Sequence, residues 1–314
     1  MKKKLVAGAV TLLSVVTLAA CANSTNKDVV TMKGDTITVS DFYDEIKSNQ
    51  GAQQVLFQMT INKVFEKEYG SKISDKEVDK ELAKQKKQLG NQFDAYLAQQ
   101  GLTEETAKKQ IRSNMLLEYA VSQAAKKDIK ESDYKTAFES YTPEVTAQII
   151  KLDSEDKAKE VLEAAKAEGA DFAKIAKDNS TDTATKDKGG EVKFDSGTAD
   201  IPSQVKEAAF KLDENGISDV ITVSAGQNYS ASYYIVKLNK KTEKGSDWKK
   251  YEKRLKEIII EGRKQDTNYI RSIIAKAMTN ANIKVKDDAF KSTFNQYLQN
   301  IGVETSDSSS SSKK

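Results

Sequence analysis

The sequence predicts an α+β protein in which helical N- and C-terminal flanks pack together and a β-α-α-β-α-β-β domain is inserted between them. Residues 40–140 carry helix after helix at three- and four-residue apolar spacing. Beyond Pro143 the pattern changes to short alternating elements, and from Asp247 the helical spacing returns. The returning flank is only about sixty residues long, and a segment that short needs a partner to bury its apolar face. The two flanks are therefore expected to share one core.

The elements follow in order. Residues 29–39 alternate around Lys33-Gly34-Asp35, a turn signal, and predict a small strand pair. Ser40 or Asp41 is the candidate cap of a helix bearing Phe42, Tyr43 and Ile46. A second helix carries Val55, Leu56, Phe57, Ile61, Val64 and Phe65 and ends at Gly70. Ser74-Asp75-Lys76-Glu77 reads as a capping box, and the helix behind it reaches Leu89 with few apolar residues to bury. Thr103 caps a further helix with Ile111, Met115 and Tyr119 on one face.

In the central region, 145–152 reads as a strand. Asp153 or Ser154 then starts a helix with Ala158, Val161, Leu162 and Ala165 inward, stopping near Gly169. Phe172, Ile175 and Ala176 mark a shorter helix, and Gly189-Gly190 introduces a strand ending at Phe194. Pro202 suits the first turn of a helix bearing Val205, Ala209 and Leu212. Asn215-Gly216 turns the chain into a strand at 220–223, and 233–238 is the last strand. In the C-terminal flank, Trp248, Tyr251, Leu255, Ile258, Tyr269, Ile273 and Ala277 form a helical stripe read as core, with Gly262 its weak point. Ile283-Lys284-Val285 is a candidate short strand before a helix bearing Phe290, Phe294 and Leu298.

Composition narrows the chemistry. The 314 residues include 50 Lys plus Arg, 47 Asp plus Glu, one Cys and no His. Without histidine there is no Ser-His-Asp or Cys-His catalysis and no His-ligated metal. One cysteine allows neither an internal disulfide nor a cysteine-only metal cluster. No cofactor is expected.

The chain begins with a basic Met1-Lys2-Lys3-Lys4 and an apolar run at 5–20. Spanning roughly 24 Å as a helix, that run is short of the ~30 Å hydrocarbon core, so it reads as a cleaved export signal. Leu18-Ala19-Ala20-Cys21 resembles a bacterial lipobox. The resemblance implies cleavage before Cys21 and lipid on its sulfur and new amino group, anchoring the protein on the outer face of the cell membrane. Loss of the three leader lysines leaves 47 basic against 47 acidic residues. Net charge therefore gives no reason to expect a nucleic-acid partner. The Ser-rich end at 305–314 has nothing apolar to bury.

Asp171-Phe172-Ala173-Lys174-Ile175-Ala176, then Ser180 and Asp182, then Gly189-Gly190-Glu191, resembles the parvulin pattern of peptidyl-prolyl isomerases. Residues 207–212, Gly216-Ile217-Ser218 and 233–238 continue it in order. Between helical flanks and behind a lipobox, the whole chain is similar to the PrsA-type foldase lipoproteins of Gram-positive bacteria. That resemblance implies a signal peptide at 1–20, a helical chaperone part at 21–142, a parvulin-like domain at 143–241, a helical part at 242–304 completing the chaperone domain, and a tail at 305–314. It implies peptidyl-prolyl isomerase as the nominal activity and unfolded or partly folded exported proteins as partners, captured on apolar surface that the flanks can offer through residues such as Phe57, Met59 and Met115. A homodimer is a candidate assembly.

Parvulins place two histidines at the floor of the proline pocket, and here those positions match Gln148 and Tyr234. The acid or thiol beside them matches Asp182. The residues gripping the proline ring match Val192, Ile201 and Val205, an aliphatic set in place of the usual Leu, Met and Phe. Efficient isomerisation is thus in question, and Gln148, Tyr234 and Asp182 equally fit ordinary strand and loop positions. The alternative function is a solute-binding lipoprotein, which requires two α/β lobes.

Overall fold

The computed structural model describes residues 27–225 and 230–298. The leader at 1–20, Cys21 and the tail at 305–314 lie outside them. The chain divides into two compact units: Leu117–Ile270, and the residues up to Leu116 joined with those from Arg271. The inserted unit extends beyond 143–241 at both ends.

The first unit opens with β1 (Asp28–Met32) and β2 (Asp35–Thr38), an antiparallel pair turning at Gly34. α1 (Val39–Ile46) is capped by Thr38, two residues before the first of the expected ones. Asp41 lies at the third helical position and closes a capping box with Thr38. α2 (Gln50–Tyr69) buries Phe57, Ile61 and Phe65. α3 (Asp75–Leu89) starts from the expected Ser74–Glu77 capping box and buries only Val78 and Leu82. α4 (Phe93–Gln99) has no counterpart in the sequence reading; it buries Phe93 and Leu97.

α5 (Glu104–Asp128) contributes its first half to this unit and its second half to the other. Its buried residues are Ala107, Ile111, Leu116, Ala120, Val121 and Ala125, so Met115 and Tyr119 sit at the edge of the inward face rather than on it. Arg112 ties α5 to α2, donating to both carboxylate oxygens of Glu66 at 2.9 and 2.7 Å and to the Gly70 and Ile73 carbonyls.

The C-terminal chain returns to this unit as expected. α11 (Thr267–Asn280) buries Ile274, Ala275, Ala277 and Met278, and α12 (Lys291–Leu298) seats Phe294 against Phe57, ring centroids 5.4 Å apart. Tyr297 stacks on Phe57 at 4.4 Å. No strand forms at 283–285: this segment is irregular, and Lys284 is exposed.

The second unit is built on an antiparallel sheet of order β4-β3-β6-β5, from β3 (Val145–Leu152), β4 (Glu191–Phe194), β5 (Ile221–Ala225) and β6 (Ser230–Lys241). α7 (Glu155–Lys166) and α8 (Phe172–Asn179) cover one face, capped by Ser154 and Asp171. α9 (Ser203–Lys211), with Pro202 as its N-cap, covers the other. The order β3-α7-α8-β4-α9-β5-β6 is the predicted one. Both described sheets are antiparallel, so the described residues do not supply the two parallel-sheet lobes that a solute-binding lipoprotein requires.

α6 (Glu131–Ser140), also absent from the sequence reading, and α10 (Glu252–Gln265) complete the unit. α10 passes through Gly262 unbroken and ends at Asp266, whose carboxylate accepts the backbone amides of Asn268 and Tyr269 as α11 begins. The predicted break is thus displaced to a residue able to cap the next helix. In the C-terminal stripe, Leu255 and Ala277 are buried, while Trp248 and Tyr251 are half-buried and stack on Tyr134 and Phe138.

α10 is fixed by an ion pair. The Asp195 carboxylate, 8 % exposed, accepts Arg254 Nε at 2.6 Å and Nη2 at 2.9 Å. Tyr141, Thr198 and the Gly197 amide complete its partners. Burial opposes ionisation of Asp195, but the Arg254, Thr198 and Tyr141 hydrogen bonds outweigh it and hold the carboxyl below its ordinary range. Such a group adds stability that is complete above its unfolded value near ~4 and lost as pH falls through its folded value. Arg254→Ala is expected to cost about 3 kcal/mol at neutral pH by leaving a buried carboxylate unpaired. Urea denaturation should show that deficit shrinking below about pH 4; a deficit unchanged down to acid pH would count against this account.

Candidate functional site

The candidate residues are arranged by β3. It pairs with β4 through Ala147↔Val192 and with β6 through Ile149↔Val236 and Lys151↔Tyr234. Side chains alternate along a strand. Val145, Ala147 and Ile149 join the α9 cluster, while Ile150 and Leu152 join the α7–α8 cluster. Val192, Ile201, Val205 and Tyr234 all belong to the α9 cluster, with Val205 fully buried and the other three half-buried.

Gln148 is the exception. It shares the parity of Ile150, so it points to the α7–α8 side, and its Nε2 donates to the Gly189 carbonyl at 2.9 Å. Gln148 and Tyr234 are therefore on opposite faces of the sheet. The sequence match aligned both with histidines of one pocket; the register separates them.

The double glycine next to Gln148 has a steric cause. Gly190 has φ +79°, and a Cβ there would lie 2.5 Å from the Ile149 carbonyl oxygen. The Ile149 amide donates to the Gly190 carbonyl at 2.8 Å, so the backbones are in direct contact and only glycine fits.

Asp182 stands in the loop after α8. Ser180 is buried and accepts the Lys151 amide, and the Thr181 amide donates to the Lys151 carbonyl at 2.8 Å. The loop thereby continues the β3 edge beyond β4. The Asp182 carboxylate accepts the Ala184 amide at 3.1 Å and Thr185 Oγ1 at 2.5 Å, which holds it in a turn. Burial is the largest cause raising the Tyr234 phenol above its ordinary value, and the charges of Asp182 and Asp153 raise it further. Tyr234 thus feels the charge of Asp182 and also that of Asp153, which the sequence offered only as a helix start and not as part of the site.

The α9 cluster also contains Phe194 and half-buried Phe210, ring centroids 5.8 Å apart, with Ile221 and Val223 from β5. Phe210 stood within the motif at 207–212, but helical spacing alone does not aim it into this cluster. Among the described residues no group of three or more acids or cysteines is placed to hold a metal. The arrangement offers an aliphatic and aromatic surface beside a neutral phenol donor and a carboxyl group. X–Pro rotation breaks no bond, and such groups can act only by stabilising the twisted amide more than the planar one.

Residues 141–240 match the family described as Rotamase: PPIC-type PPIASE domain. The foldase protein PrsA of Streptococcus sanguinis strain SK36 is 62% identical over 302 residues, covering 96% of this chain and 90% of its own. The chain belongs to the PrsA foldase family. PrsA of Streptococcus gordonii strain Challis is 59% identical over the full length of both chains. The crystal structure of PrsA from a Streptococcus pneumoniae strain superposes with a TM-score of 0.81 at 54% identity, covering 86% of this chain and 99% of that one. PrsA of Lactococcus lactis, at 38% identity and the same coverage of this chain, gives 0.64.

Removing the Asp182 charge is expected to lower the Tyr234 titration midpoint while leaving it above ~10, because burial remains. A difference titration of phenolate absorbance, Asp182→Ala against Asp182→Ala/Tyr234→Phe, measures this. A midpoint unmoved from that of the unsubstituted chain would place Asp182 too far away to act on Tyr234.

Proposed function

We propose that this member of the family is a lipid-anchored foldase that holds unfolded exported proteins outside the membrane, with only weak peptidyl-prolyl isomerisation in its inserted domain. The observation carrying this reading is where apolar side chains meet water. Val29, Val30, Met32, Ile37, Val39, Phe42, Val55 and Met59 are all exposed, and all belong to the first unit. Surface kept apolar is what a holder of unfolded chains requires. Of the three side chains the sequence suggests for this surface, Met59 is exposed and Met115 half-buried, but Phe57 is core, packed beneath Phe294 and Tyr297. Phe57 is withdrawn from the surface.

Weak isomerisation follows from the other unit. The phenol of Tyr234 is a neutral donor where the family carries histidine, and Gln148 faces away from it. In this reading the groove is formed by Val192, Ile201, Tyr234 and Asp182, with Val205 beneath and Gln148 as a backbone tie. On the same reading the mature chain begins at Cys21, and the isomerase domain proper is the 143–241 span within the larger inserted unit.

Two measurements test the proposal. The full chain is expected to suppress aggregation of an unfolded protein equally well as Asp182→Ala or Tyr234→Phe, while accelerating a proline-limited refolding phase only slightly. Strong acceleration abolished by either substitution would establish an efficient isomerase and overturn the weak-activity reading.

For the anchor, Cys21→Ala is expected to give an unprocessed or shed protein, because the acyl chains supply about 0.8 kcal/mol per buried CH₂. Mass and membrane fractionation read the result. Unchanged mass and retention would remove the lipid anchor from the proposal.

A further inference from the structure

α2 carries two like charges side by side. Lys63 and Lys67 are both exposed and one helical turn apart, and among the described residues neither has an acidic partner within ion-pair distance. Like charges at this spacing destabilise a helix. Neighbouring cations are matched differently: Arg112 has Glu66 and Asp75, Lys109 has Glu105, and Lys108 has Asp79.

A cavity lies on each side of the same two lysines. One, of about 540 Å³, is formed with α11 and the segment after it, over Val64, Ala277, Ala281 and Ile283. The other, of about 500 Å³, is formed with α5, over Leu116, Asn62 and Ser113. Each falls in the size range of a small-ligand pocket. The ridge therefore divides two hollows walled largely by aliphatic carbon, much of it the stems of charged side chains. Each also holds one α2 acid, Glu68 in the first and Glu66, paired with Arg112, in the second, while Lys109 and Arg112 add positive charge to the second.

We propose that this ridge and its two hollows bind unfolded polypeptide segments in which an Asp or Glu lies between two aliphatic residues. The carboxylate sits between Lys63 and Lys67 and relieves their repulsion, while the aliphatic side chains enter the hollow on either side. A helix is about 10 Å across with its side chains, and an extended chain advances about 3.3 Å per residue. Aliphatic residues three or four positions apart span that ridge. The inference rests on the foldase reading and names the segments it selects. Charge complementarity favours an acidic segment over a neutral or basic one.

The test uses the full chain in detergent and fluorescent peptides. One peptide carries the aliphatic–acid–aliphatic pattern, a second replaces the acid by its amide, and a third replaces it by lysine. The expected result is about tenfold tighter binding of the first than the second, weakened by salt. Lys63→Glu/Lys67→Glu should abolish that preference and shift it to the lysine peptide. Ala281→Trp, which fills one hollow from an exposed position, should weaken the acidic peptide without changing its salt dependence.

Equal binding of all three peptides, or a preference surviving the double substitution, overturns the proposal. So does a peptide lacking aliphatic residues that binds as tightly as the patterned one, since the ridge would then be a general polyanion site; displacement by inorganic polyphosphate would confirm that occupant. Aggregation suppression with a lysine-rich unfolded protein separates the two levels of inference. If suppression persists while the acidic preference is absent, only this site fails; if suppression is absent too, the foldase reading fails with it.

Discussion

β3 is the constraint on which the second unit depends. It is paired on both edges and covered on both faces, so its register has little freedom: a slip by one residue would exchange the side chains of the two clusters. Each local feature of the site is a consequence. Gly190 must be glycine because the Ile149 backbone occupies the space of a side chain. Ser180 is buried because it satisfies the Lys151 amide where β4 has ended. Tyr234 faces α9 because it pairs with Lys151, and Gln148 faces the other way because three residues along a strand reverse the side.

That last relation marks where sequence reading stops. Every strand and α-helix from β3 to β6 was legible, since alternation, caps and glycine turns are local signals. The buried positions of α7 were legible too, because a 3.6-residue period fixes which side chains share a face. Which residues meet across strands depends on register, which is a long-range property. A motif match aligns Gln148 and Tyr234 with two positions but says nothing about the faces they take. Asp153 and Phe210 escaped for the same reason, being neighbours of the site in space only.

The helical unit was legible in a different measure. The shared core of the flanks followed from a size argument, and Phe57 against Phe294 and Tyr297 is its material form. The same packing explains why Phe57 was misplaced on the surface: an apolar stripe does not disclose which of its members a distant helix will cover. α4 and α6 were missed because each is short and buries little, leaving few apolar positions to set a period. Lys63 and Lys67 were legible only as two lysines among many. Their lack of acidic partners is visible once α5 and α11 bring their own charges alongside.

The absence of histidine has a consequence beyond catalysis. Histidine is the one side chain whose unperturbed pKa places its charge change between pH 5 and 8. Here every resolved shift among the described residues moves a group away from that interval: Asp41, Glu66, Glu77 and Asp195 are lowered. Tyr43, Tyr134, Tyr234 and Lys264 are raised, and Tyr269 is pushed up to about 12. The charges that hold α10 to Asp195 and α5 to Glu66 therefore stay constant across that range. So does the phenol of Tyr234, which remains a hydrogen-bond donor where a histidine would exchange donor and acceptor roles. Across that interval the fold is therefore held by packing and by charges that do not change.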